Sequence, residues 1–408
     1  MGLFVHKYGG SSVADAGKIV SVARRIAGVH DAGHQVVTVV SAMGDTTDEL
    51  IDLARTVTPE PDPRELDLLL STGELVSITL LSMALRSLGY DAISLSGPQA
   101  GIRTDNAYGR ARISEVDPAR LQHELAKGRL VIVAGFQGLT PDEDITTLGR
   151  GGSDTTAVAL AAALEADRCD IYTDVEGIYT ADPRVVSKAA KLSEVAYDEM
   201  LELAAAGAKM HPRSIELGAV YKVPIYVASS FTDAPGTMIQ QPSDEALMED
   251  RIKVTGIAYQ TNVAKVTVCG VEDKPGVAAA LFEPLAASGI SVDTIVQNTS
   301  ADRTTTDISF TVTTDDLPQT LRRLSSMAPA LSAAQVISDS SLASVSVVGS
   351  GMQNTPGYAS RMFRILADGG INIDMITTSE IRISCIIGRE QAHEAVRLLH
   401  RGFELDEG

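Results

Sequence analysis

A lysine and two glycines stand together where the first predicted strand ends, in "FVHKYGGSS". Glycines in a strand-to-helix turn let backbone amides face a bound group, and the N-terminal end of the next helix adds positive potential. Lys7, Gly9, Gly10 and Ser11 therefore favour a site for an anion. The spacing matches neither G-x-x-x-x-G-K-[ST] nor G-x-G-x-x-G. A tight turn with Lys7 in solvent is the alternative interpretation.

A second glycine-rich turn, "GRGGSDTTA" at residues 149–157, precedes an alanine-rich helical stretch. It brings Arg150 next to Gly151, Gly152, Ser153 and Asp154. An anion again fits such a helix start, and an arginine can grip a carboxylate through two parallel hydrogen bonds. The two turns together favour one ligand with several phosphates and another with a carboxylate.

Three further segments add polar side chains to this part of the chain. "SAMGDTTDEL" (41–50) offers Ser41 and Thr47, and "STGE" (71–74) places Glu74 in an otherwise apolar helical pattern. That carboxylate is either a solvated helix residue or the partner of a cation. The third segment, "IYTDVEGIYTADPR" (171–184), is followed by "GAKMHPRS" (207–214). Together they supply Thr173, Asp174, Tyr179, Asp182, Arg184 and Lys209, although Tyr179 could equally be core and Asp182 a turn former before Pro183.

The first 240 or so residues alternate short β-branched runs with helix-period stretches. This pattern predicts strands at 3–7, 35–40, 92–94, 130–133, 170–173 and 224–227, and helices at 17–29, 64–88 and 155–164. Strands that are apolar on both faces and separated by helices predict an α/β fold, with a mostly parallel sheet covered on both sides. Functional groups in such sheets gather beyond the carboxyl ends of the strands, where the lysine and the first glycines would lie.

The last 150 or so residues contain an internal repeat. "DKPGVAAALFEPLAASGISVDTIV" (273–296) matches "NTPGYASRMFRILADGGINIDMIT" (354–377) with an offset of 81 and no gap. Each copy predicts strand, Pro-Gly turn, helix, two strands and helix, which is the split β-α-β order of ferredoxin-like α+β domains. The second copy runs out of chain, so we expect a spare strand at 251–259 to complete it, with the first copy inserted within the second.

The charge and cysteine content of the chain limit the kinds of partner and metal site that we expect. The chain carries 53 acidic and 34 basic residues, a net charge of -19, which disfavours nucleic acid and anionic membranes. Cys169, Cys269 and Cys385 show neither a disulfide framework nor zinc-ligand spacing. We find no export leader and expect no apolar run long enough to span a bilayer, so the expected location is the cytoplasm.

Taken together and in order, the motifs resemble the amino-acid kinase family and, within it, the aspartokinases. The similar segments are "KYGGSS", "SAMGDTTDEL", "STGE", "GRGGSDTTA", "VEGIYTADPR" and "GAKMHPRS"; "KPG", "TPG", "NID" and "TSEIRIS" resemble the paired ACT domains of such enzymes. The resemblance implies a three-layer α/β/α kinase domain at 1–245, a linker and extra strand at 246–263, and ACT domains at 264–341 and 342–408.

The implied reaction transfers the γ-phosphoryl group of ATP to the β-carboxylate of L-aspartate. The product is 4-phospho-L-aspartate, the entry to lysine, threonine and methionine synthesis. A carboxylate is already ionised at pH 7 and needs no general base, so positioning and charge stabilisation suffice. Mg²⁺ would be held largely by phosphate oxygens and water. A kinase acting on glutamate and a non-catalytic amino-acid sensor are the alternatives.

The resemblance also assigns roles residue by residue. Lys7 and Asp154 are the implied catalytic residues, with Asp154 orienting Lys7; Arg150 would take the α-carboxylate of aspartate, and Glu74 its ammonium. The implied ATP positions are Lys7, Gly9, Gly10, Ser11, Thr173, Asp174, Tyr179, Asp182, Arg184 and Lys209, and the implied aspartate positions are Ser41, Thr47, Glu74, Arg150, Gly151, Gly152 and Ser153.

Regulation is implied through the ACT pair. Lysine or threonine, or both, would be trapped between residues 273–276 of one chain and Asn372 or residues 378–380 of its partner. The implied assembly is a homo-oligomer or a complex with a separate regulatory subunit, for which Met248 is a candidate internal start or an ordinary linker methionine. The implied effector positions are Asp273, Lys274, Pro275, Gly276, Gln297, Asn372, Thr378, Ser379 and Glu380, with variable positions at Gln353 and Asn354.

Overall fold

A computed structural model describes residues 2–241, 254–299, 305–327, 331, 333–352 and 355–406 of the chain. These residues form two compact units. Unit 1 takes the described parts of Met1–Tyr179, Lys191–Ala205 and Lys209–Met248, and unit 2 takes those of Thr180–Ala190, Ala206–Ala208 and Glu249–Gly408. Met248, Gln353, Asn354 and the first residues of the predicted strand at 251–259 lie outside the described residues.

Two sheets form unit 1. Its strands are β1 (Leu3–Tyr8), β2 (Gln35–Val40), β3 (Ala92–Leu95), β4 (Ile102–Thr104), β5 (Ile113–Val116), β6 (Leu130–Ala134), β7 (Gln137–Leu139), β8 (Ile145–Thr147), β9 (Arg168–Thr173), β10 (Glu194–Val195), β11 (Ile225–Ser229) and β12 (Thr237–Ile239). The large sheet has the order β10-β12-β11-β9-β1-β2-β6-β3 and is parallel except for β11 against β12. The six predicted strands all belong to it, with bounds within two residues. The four-stranded sheet β5-β4-β7-β8 was not predicted.

Among the described residues of unit 1, seven α-helices accompany these sheets. They are α1 (Ala16–Asp31), α2 (Thr46–Val57), α3 (Pro63–Ser87), α4 (Ala119–Ala126), α5 (Gly152–Ala163), α6 (Tyr197–Ala205) and α7 (Pro212–Tyr221). The helices predicted at 17–29, 64–88 and 155–164 are α1, α3 and α5. Helix α3 begins as its sequence indicates, because the Asp62 carboxylate accepts hydrogen bonds from the amides of Arg64 and Glu65 and Pro63 fills the first helical position.

The turn after β1 differs from expectation. A short 3-10 turn, Gly10–Val13, follows the two glycines, and α1 begins only at Ala16. The N-terminus of α1 is already capped, since the Asp15 side chain accepts a hydrogen bond from the amide of Lys18. A 3-10 turn, and not the start of α1, therefore follows Gly9 directly, which the prediction did not anticipate.

Helix α3 is unusually long and apolar. An 18-residue window within Pro63–Ser87 reaches a mean hydropathy of 1.7, enough by length and composition alone to cross a membrane. The expectation that no apolar run approaches this length is therefore wrong. Half of that window is buried inside the fold, and α3 packs against α1, α2, β3, β6 and β8. A core helix of a globular unit meets the same criterion.

Unit 2 is built on one antiparallel sheet of six strands, in the order β14-β15-β13-β16-β18-β17. Its elements are β13 (Gly256–Glu272), α8 (Val277–Ala287), β14 (Ile295–Thr299), β15 (Thr305–Thr313), α9 (Leu317–Met327), β16 (Gln335–Val348), α10 (Tyr358–Asp368), β17 (Met375–Thr378), β18 (Arg382–Gly388) and α11 (Ala392–Gly402). Each repeat copy thus has its helix after the Pro-Gly turn, then two strands and a helix, as the repeat predicts.

The long central strands β13 and β16 serve both copies of the repeat. Residues 256–260 of β13 pair with residues 344–348 of β16, whereas residues 263–272 of β13 pair with β15 of the first copy. The spare strand and the first strand of the first copy are therefore one continuous strand and not two. An ion pair of 2.9 Å between Lys265 and Asp374 also joins the two copies.

A segment of the predicted kinase part is folded into unit 2. Residues 180–190 contribute Ala181, Val185 and Val186 to a hydrophobic core that also contains Leu399 and Phe403. The chain leaves unit 1 after Tyr179 and returns to it at Lys191. The predicted boundary at 245 does not anticipate this exchange, because alternation of strands and helices carries no information about which core a loop joins.

Candidate active site

The carboxyl ends of four neighbouring strands meet at one edge of the large sheet. Tyr8 of β1 pairs with Val40 of β2 and with Tyr172 of β9, and Val40 pairs with Ala134 of β6. The segments that follow these strands are 9–12, 41–45, 135–136 and 174–179. The two predicted sites after β1 and β2 therefore lie side by side, as the rule for parallel sheets requires.

Lys7 and Asp154 form a buried ion pair at this edge. The Lys7 Nζ atom lies 2.6 Å from Asp154 Oδ1, and the two side chains are only 11% and 14% exposed. Lys7 lies on β1 and Asp154 in the first turn of α5, so the sheet and the helix each fix one partner. The alternative of a solvent-exposed Lys7 is excluded. The two predicted catalytic residues lie together.

The N-terminus of α5 is open. Its N-cap residue is Gly151, with a φ of 69°, and no described side chain caps the helix. A left-handed backbone of this kind favours glycine. A helix of 12 residues with an uncapped N-terminus presents backbone N–H groups and a positive dipole end to an anion. In contrast to α1, α5 therefore matches the predicted anion site.

Close backbone packing explains why residue 10, after β1, is a glycine. A Cβ at Gly10 would lie 2.8 Å from the carbonyl oxygen of Ala42 and 2.9 Å from that of Gly44. The amide of Gly44 donates to the carbonyl oxygen of Gly10 at 3.1 Å. Gly9 directs its amide at the carbonyl oxygen of Tyr172, at 3.4 Å. Ser11 is exposed in the 3-10 turn.

Glu74 is a buried carboxyl group on α3. Its Oε1 accepts a hydrogen bond of 3.0 Å from the amide of Ala42, while Oε2 has no well-formed hydrogen bond to any described residue. Burial raises the pKa of Glu74 to about 7, and the amide of Ala42 opposes part of this rise. The Gln137 side chain is near enough to lower the pKa of Glu74 in part, but it makes no well-formed hydrogen bond to Oε2. A buried carboxylate oxygen without a well-formed hydrogen bond suits a cationic group on a ligand. The alternative of a solvated helix residue is excluded.

Gly73 lets α3 come this close. A Cβ at Gly73 would lie 2.8 Å from the Cβ atom of Ala42, so a larger residue would push the helix away from the turn after β2. Ser41 and Thr47, predicted to complete the pocket, are partly buried on either side of this contact, and Ser153 is buried at the start of α5. Arg150 is exposed in the turn that leads into α5.

Three residues that sequence reasoning missed hold that turn in place. Asp67, fully buried on α3 and two turns before Glu74, accepts hydrogen bonds from the amide of Thr147 at 2.8 Å and from its hydroxyl at 2.7 Å. Arg213 donates to the carbonyl oxygen of Leu148 at 2.8 Å. The ring of His211 lies where a Cβ on Gly151 would be, and burial lowers the pKa of His211.

The predicted nucleotide positions divide between the two units. In unit 1, Lys209 Nζ lies 2.7 Å from Asp174 Oδ2, which lowers the pKa of Asp174, and the Thr173 hydroxyl donates to Asp174 at 3.1 Å. Tyr179 is partly buried at the last position before the chain enters unit 2. Asp182 and Arg184 belong to unit 2, where they form an ion pair of 2.6 Å.

The predicted effector positions line two separate cavities in unit 2. The first, of about 390 Å³, is lined by Asp273, Lys274, Pro275, Gly276 and Gln297 among others. The second, of about 250 Å³, is lined by Thr378, Ser379 and Glu380 together with the Pro-Gly turn of the second copy. Asn372 lies on the surface and lines neither of these two cavities. The two cavities occupy equivalent positions in the two repeat copies.

The class of protein follows from this fold and this sheet edge. The model of the amino acid kinase family matches residues 2–229, and models of the ACT domain match residues 265–328 and 345–403. An aspartokinase of Mycolicibacterium smegmatis is 50% identical over 408 residues, which cover 99% of this chain and 97% of that protein.

Two solved structures are similar over almost the whole chain. E. coli aspartokinase III in complex with aspartate and ADP is 29% identical with a TM-score of 0.84, covering 98% of this chain and 99% of that one. The same enzyme in complex with lysine and aspartate gives a TM-score of 0.73 over 98% of this chain and 99% of that one, again with 29% identity. The chain therefore belongs to the amino acid kinase family and, within it, to the aspartokinases, which are phosphotransferases.

Proposed function

We propose that the sheet edge of unit 1 binds ATP and L-aspartate and carries out the aspartokinase reaction there. A β-carboxylate oxygen of aspartate attacks the γ-phosphorus of ATP, the bond to the β,γ-bridging oxygen breaks, and 4-phospho-L-aspartate and ADP result. This product is the entry to lysine, threonine and methionine synthesis. The observation that carries the proposal is the buried Lys7–Asp154 pair at the open N-terminus of α5.

Lys7 supplies positive charge where the phosphoryl group moves. The transferring group spreads negative charge over its oxygens, and a fixed cation in a site of low water content stabilises that charge. Asp154 orients Lys7, since the 2.6 Å contact and the burial of both side chains leave the ammonium group little freedom. No proton has to be removed from an ionised carboxylate, so the residues act by position and charge.

The amino-acid end of the substrate is bound by two opposite charges. Glu74 takes the ammonium group, which supplies the well-formed contact that its buried Oε2 lacks among the described residues. Arg150 takes the α-carboxylate, for which a guanidinium group gives bidentate hydrogen bonds. Ser41, Thr47, Gly151, Gly152 and Ser153 complete the aspartate site.

The nucleotide is bound on the opposite side of Lys7. Gly9, Gly10 and Ser11 approach its phosphates, and Thr173, Asp174, Tyr179, Asp182, Arg184 and Lys209 contact the rest. Mg²⁺ would arrive with ATP and would be held largely by phosphate oxygens and water. Among the described residues no group of three or more His, Cys, Asp or Glu side chains could hold a metal ion. When bound, the ion would neutralise charge on the phosphates.

The ACT domains give feedback inhibition by lysine, threonine or both. Support comes from the two cavities at the predicted effector positions and from the lysine complex of the E. coli relative. Effector binding changes activity only if the effector prefers one of two states of the enzyme. We place the enzyme in the cytoplasm, as a homo-oligomer or with a separate regulatory subunit. The proposed domain boundaries are 245, 263 and 341, with β13 and β16 running across the last two and residues 180–190 joining unit 2.

An ADP-release assay tests the reaction. The purified chain is given MgATP with L-aspartate, with L-glutamate, or with no acceptor, and ADP formation is coupled to NADH oxidation. We expect ADP release with aspartate that exceeds both controls at least tenfold, and hydroxylamine trapping of the acyl phosphate. Faster ADP release with glutamate than with aspartate would make glutamate the substrate. ADP release that is absent, or that does not depend on an acceptor, would favour the non-catalytic amino-acid sensor.

A second assay tests the regulation. Aspartate-dependent activity is measured with lysine alone, threonine alone and both together. We expect at least one of the three conditions to inhibit, and full activity with saturating lysine plus threonine contradicts the effector proposal.

A further inference from the structure

A loop of the small sheet packs against the turn that leads into α5. The loop, residues 105–112, joins β4 to β5, and the turn comprises residues 147–152. The buried carboxylate of Asp67 lies between them, where its Oδ2 atom accepts the amide of Gly109 and the amide of Thr147, both at 2.8 Å. One buried side chain therefore fixes the loop and the turn to each other.

Arg213 on α7 makes a second connection between the two segments. Its guanidinium group donates to the carbonyl oxygen of Leu148 at 2.8 Å and to that of Ala111 at 3.0 Å. The amide of Ala111 in turn donates to the carbonyl oxygen of Thr147 at 2.9 Å. The position of the loop is thus set by backbone contacts, which do not depend on the exposed side chains that the loop carries.

The loop brings two exposed arginines to this turn. Arg110 and Arg112 stand on either side of Ala111, which is buried. The Cα atom of Arg110 lies 3.7 Å from the Cβ position of Gly149 in the turn. Burial and, after it, the positive charge of Arg112 lower the pKa of Arg213, so the charge of Arg112 acts on the guanidinium group that touches the turn.

Positive charge is therefore concentrated at the start of α5. Four arginines, which we call the arginine collar, lie at this turn: Arg110, Arg112, Arg150 and Arg213. Asp105 and Glu216 are the carboxylates that raise the pKa of Arg213 in return, so two negative charges oppose four positive ones. The whole chain, by contrast, has a net charge of -19.

We propose that the arginine collar draws anionic substrates to the open N-terminus of α5, and that Arg112 does so through its electric field without touching them. A surface patch of one sign of charge raises the local concentration of ligands of the opposite sign. Aspartate and ATP are both anions at pH 7, and the chain as a whole repels them. The proposal rests on the proposed function, because it takes aspartate as the ligand.

Arg112 is the member of the collar that can be changed with least disturbance. Arg213 holds the loop and the turn through two carbonyl oxygens, and Arg150 is the proposed partner of the α-carboxylate of aspartate. The backbone of Arg112 is fixed by its amide, which donates to Asp105 Oδ1 at 3.0 Å, while its side chain is exposed. Arg112→Gln therefore removes one charge and leaves the contacts between loop and turn in place.

Ionic strength separates a field effect from a direct contact. KM for aspartate of the full-length Arg112→Gln enzyme is measured at ionic strengths of about 0.02 M and about 0.5 M, between which the Debye length falls from roughly 20 Å to roughly 4 Å. At low ionic strength we expect KM to be roughly two- to threefold that of the wild type, the effect of one charge at a distance on the order of 10 Å. At high ionic strength the two values should coincide, and kcat should be unchanged at both.

Two variants serve as controls. Arg112→Lys keeps the charge and should have the wild-type KM at both ionic strengths. Arg24→Gln changes the overall charge by the same amount from an exposed position on α1 and should leave KM unchanged. Helix α1 packs on the face of the large sheet that carries Tyr8, whereas α5 contacts Lys7, the preceding residue of β1, which faces the opposite side.

Three results would overturn the proposal: an unchanged KM of Arg112→Gln at low ionic strength, an equal rise at both ionic strengths, or an equal rise in Arg24→Gln. An equal rise at both ionic strengths would mean that Arg112 touches the substrate or supports the fold. Isothermal titration of L-aspartate into the same variants should give the same shifts in Kd without turnover. A wild-type chain that neither binds aspartate nor releases ADP contradicts the proposed function, whereas any of the three results with an active wild type overturns the collar alone.

Discussion

The proposed phosphoryl transfer depends most on Lys7, whose ammonium group carries the positive charge. Lys7→Ala removes a charge that lies 2.6 Å from Asp154 and is needed most while the phosphoryl group is in transit. We expect kcat to fall by roughly two to three orders of magnitude, the effect of losing one transition-state contact worth about 3 to 4 kcal/mol, with a much smaller change in KM for aspartate. Steady-state kinetics with both substrates saturating measure this.

The control for Lys7 is its partner. Asp154→Asn keeps the shape of the side chain but leaves the Lys7 charge without its orienting carboxylate, so kcat should fall less than in Lys7→Ala. Circular dichroism melts must show that both variants fold, because breaking a buried ion pair also lowers stability. A folded Lys7→Ala enzyme that keeps most of its kcat would remove Lys7 from the site.

The raised pKa of Glu74 predicts that aspartate binding depends on pH. Its carboxyl group has a pKa of about 7, so in the free enzyme it is mostly neutral at pH 6 and mostly ionised at pH 8. Only the ionised form attracts the ammonium group of aspartate. KM for aspartate should therefore rise as pH falls through 7, approaching tenfold per pH unit below the pKa, while KM for ATP changes little.

Glu74→Gln is the matched variant, because it has nearly the same shape and does not titrate. Its KM for aspartate should be high throughout and independent of pH between 6 and 8. Arg150→Ala should also raise KM for aspartate and leave ATP affinity nearly unchanged, but it should keep the pH dependence of the wild-type enzyme. A Glu74→Gln enzyme with the wild-type pH profile would assign the titration to another group.

At the scale of elements, the approach of α3 to the turn after β2 decides where Glu74 lies. Gly73→Ala would place a methyl group 2.8 Å from the Cβ atom of Ala42, so α3 must shift and the hydrogen bond from the Ala42 amide to Glu74 must lengthen. We expect KM for aspartate to rise at least several-fold, together with a loss of stability of about 1 to 3 kcal/mol. Aspartate titrations and thermal melts measure the two effects.

Gly28→Ala on α1 is the control for Gly73→Ala. It is also a glycine inside a helix, but no atom lies within 4 Å of its Cβ position. Helix propensity alone should then stabilise the protein by about 0.5 to 1 kcal/mol, with unchanged kinetics. Equal effects of the two substitutions would mean that the close contact of Gly73 is not what positions Glu74.

Periodicity predicts the long elements of unit 1 and misses the short ones. The six predicted strands correspond to observed strands of four to six residues, whereas β4, β7 and β8 have three residues each, too few for a period of two to appear. The 3-10 turn after Gly9 was missed for the same reason. The four-residue strand β5 was missed as well. Asp67, His211 and Arg213 lie far from the turn at 147–151 in sequence, so only tertiary structure shows that they hold it.

At the scale of the whole molecule, the repeat predicts the two ACT copies, but no sequence pattern predicts that residues 180–190 join unit 2. That segment is fixed by a chain of hydrogen bonds: the amide of Ala190 donates to the Thr180 hydroxyl at 3.0 Å, and that hydroxyl lies 2.8 Å from His400 Nε2. On its other side, His400 Nδ1 lies 2.9 Å from Asp406. The contact between Thr180 and His400 spans 220 residues, far beyond any local signal.

The direction of these hydrogen bonds follows from the charge of His400. The side chain is fully buried, and burial lowers its pKa, so the imidazole is neutral at pH 7. Its Nδ1–H then donates to the Asp406 carboxylate, and Nε2 accepts the hydroxyl proton of Thr180. Within unit 2, the segment that carries Asp182 and Arg184 is thus anchored to α11. These two residues are among the proposed nucleotide contacts.

Thr180→Val tests this anchor. The valine has the same shape but leaves the Ala190 amide and His400 Nε2 without their partner, at a cost of about 1 to 3 kcal/mol for buried polar groups. Hydrogen exchange in residues 181–190 should become faster, while exchange in β1 and α5 stays as it is. KM for ATP should rise more than KM for aspartate, because the loosened segment carries Asp182 and Arg184.

The control is Thr180→Ser, which keeps the hydroxyl. It should restore both the slow hydrogen exchange of residues 181–190 and the KM for ATP. Unchanged exchange in Thr180→Val, or equal effects on the two KM values, would show that the Thr180 hydroxyl does not hold Asp182 and Arg184 in place for nucleotide binding.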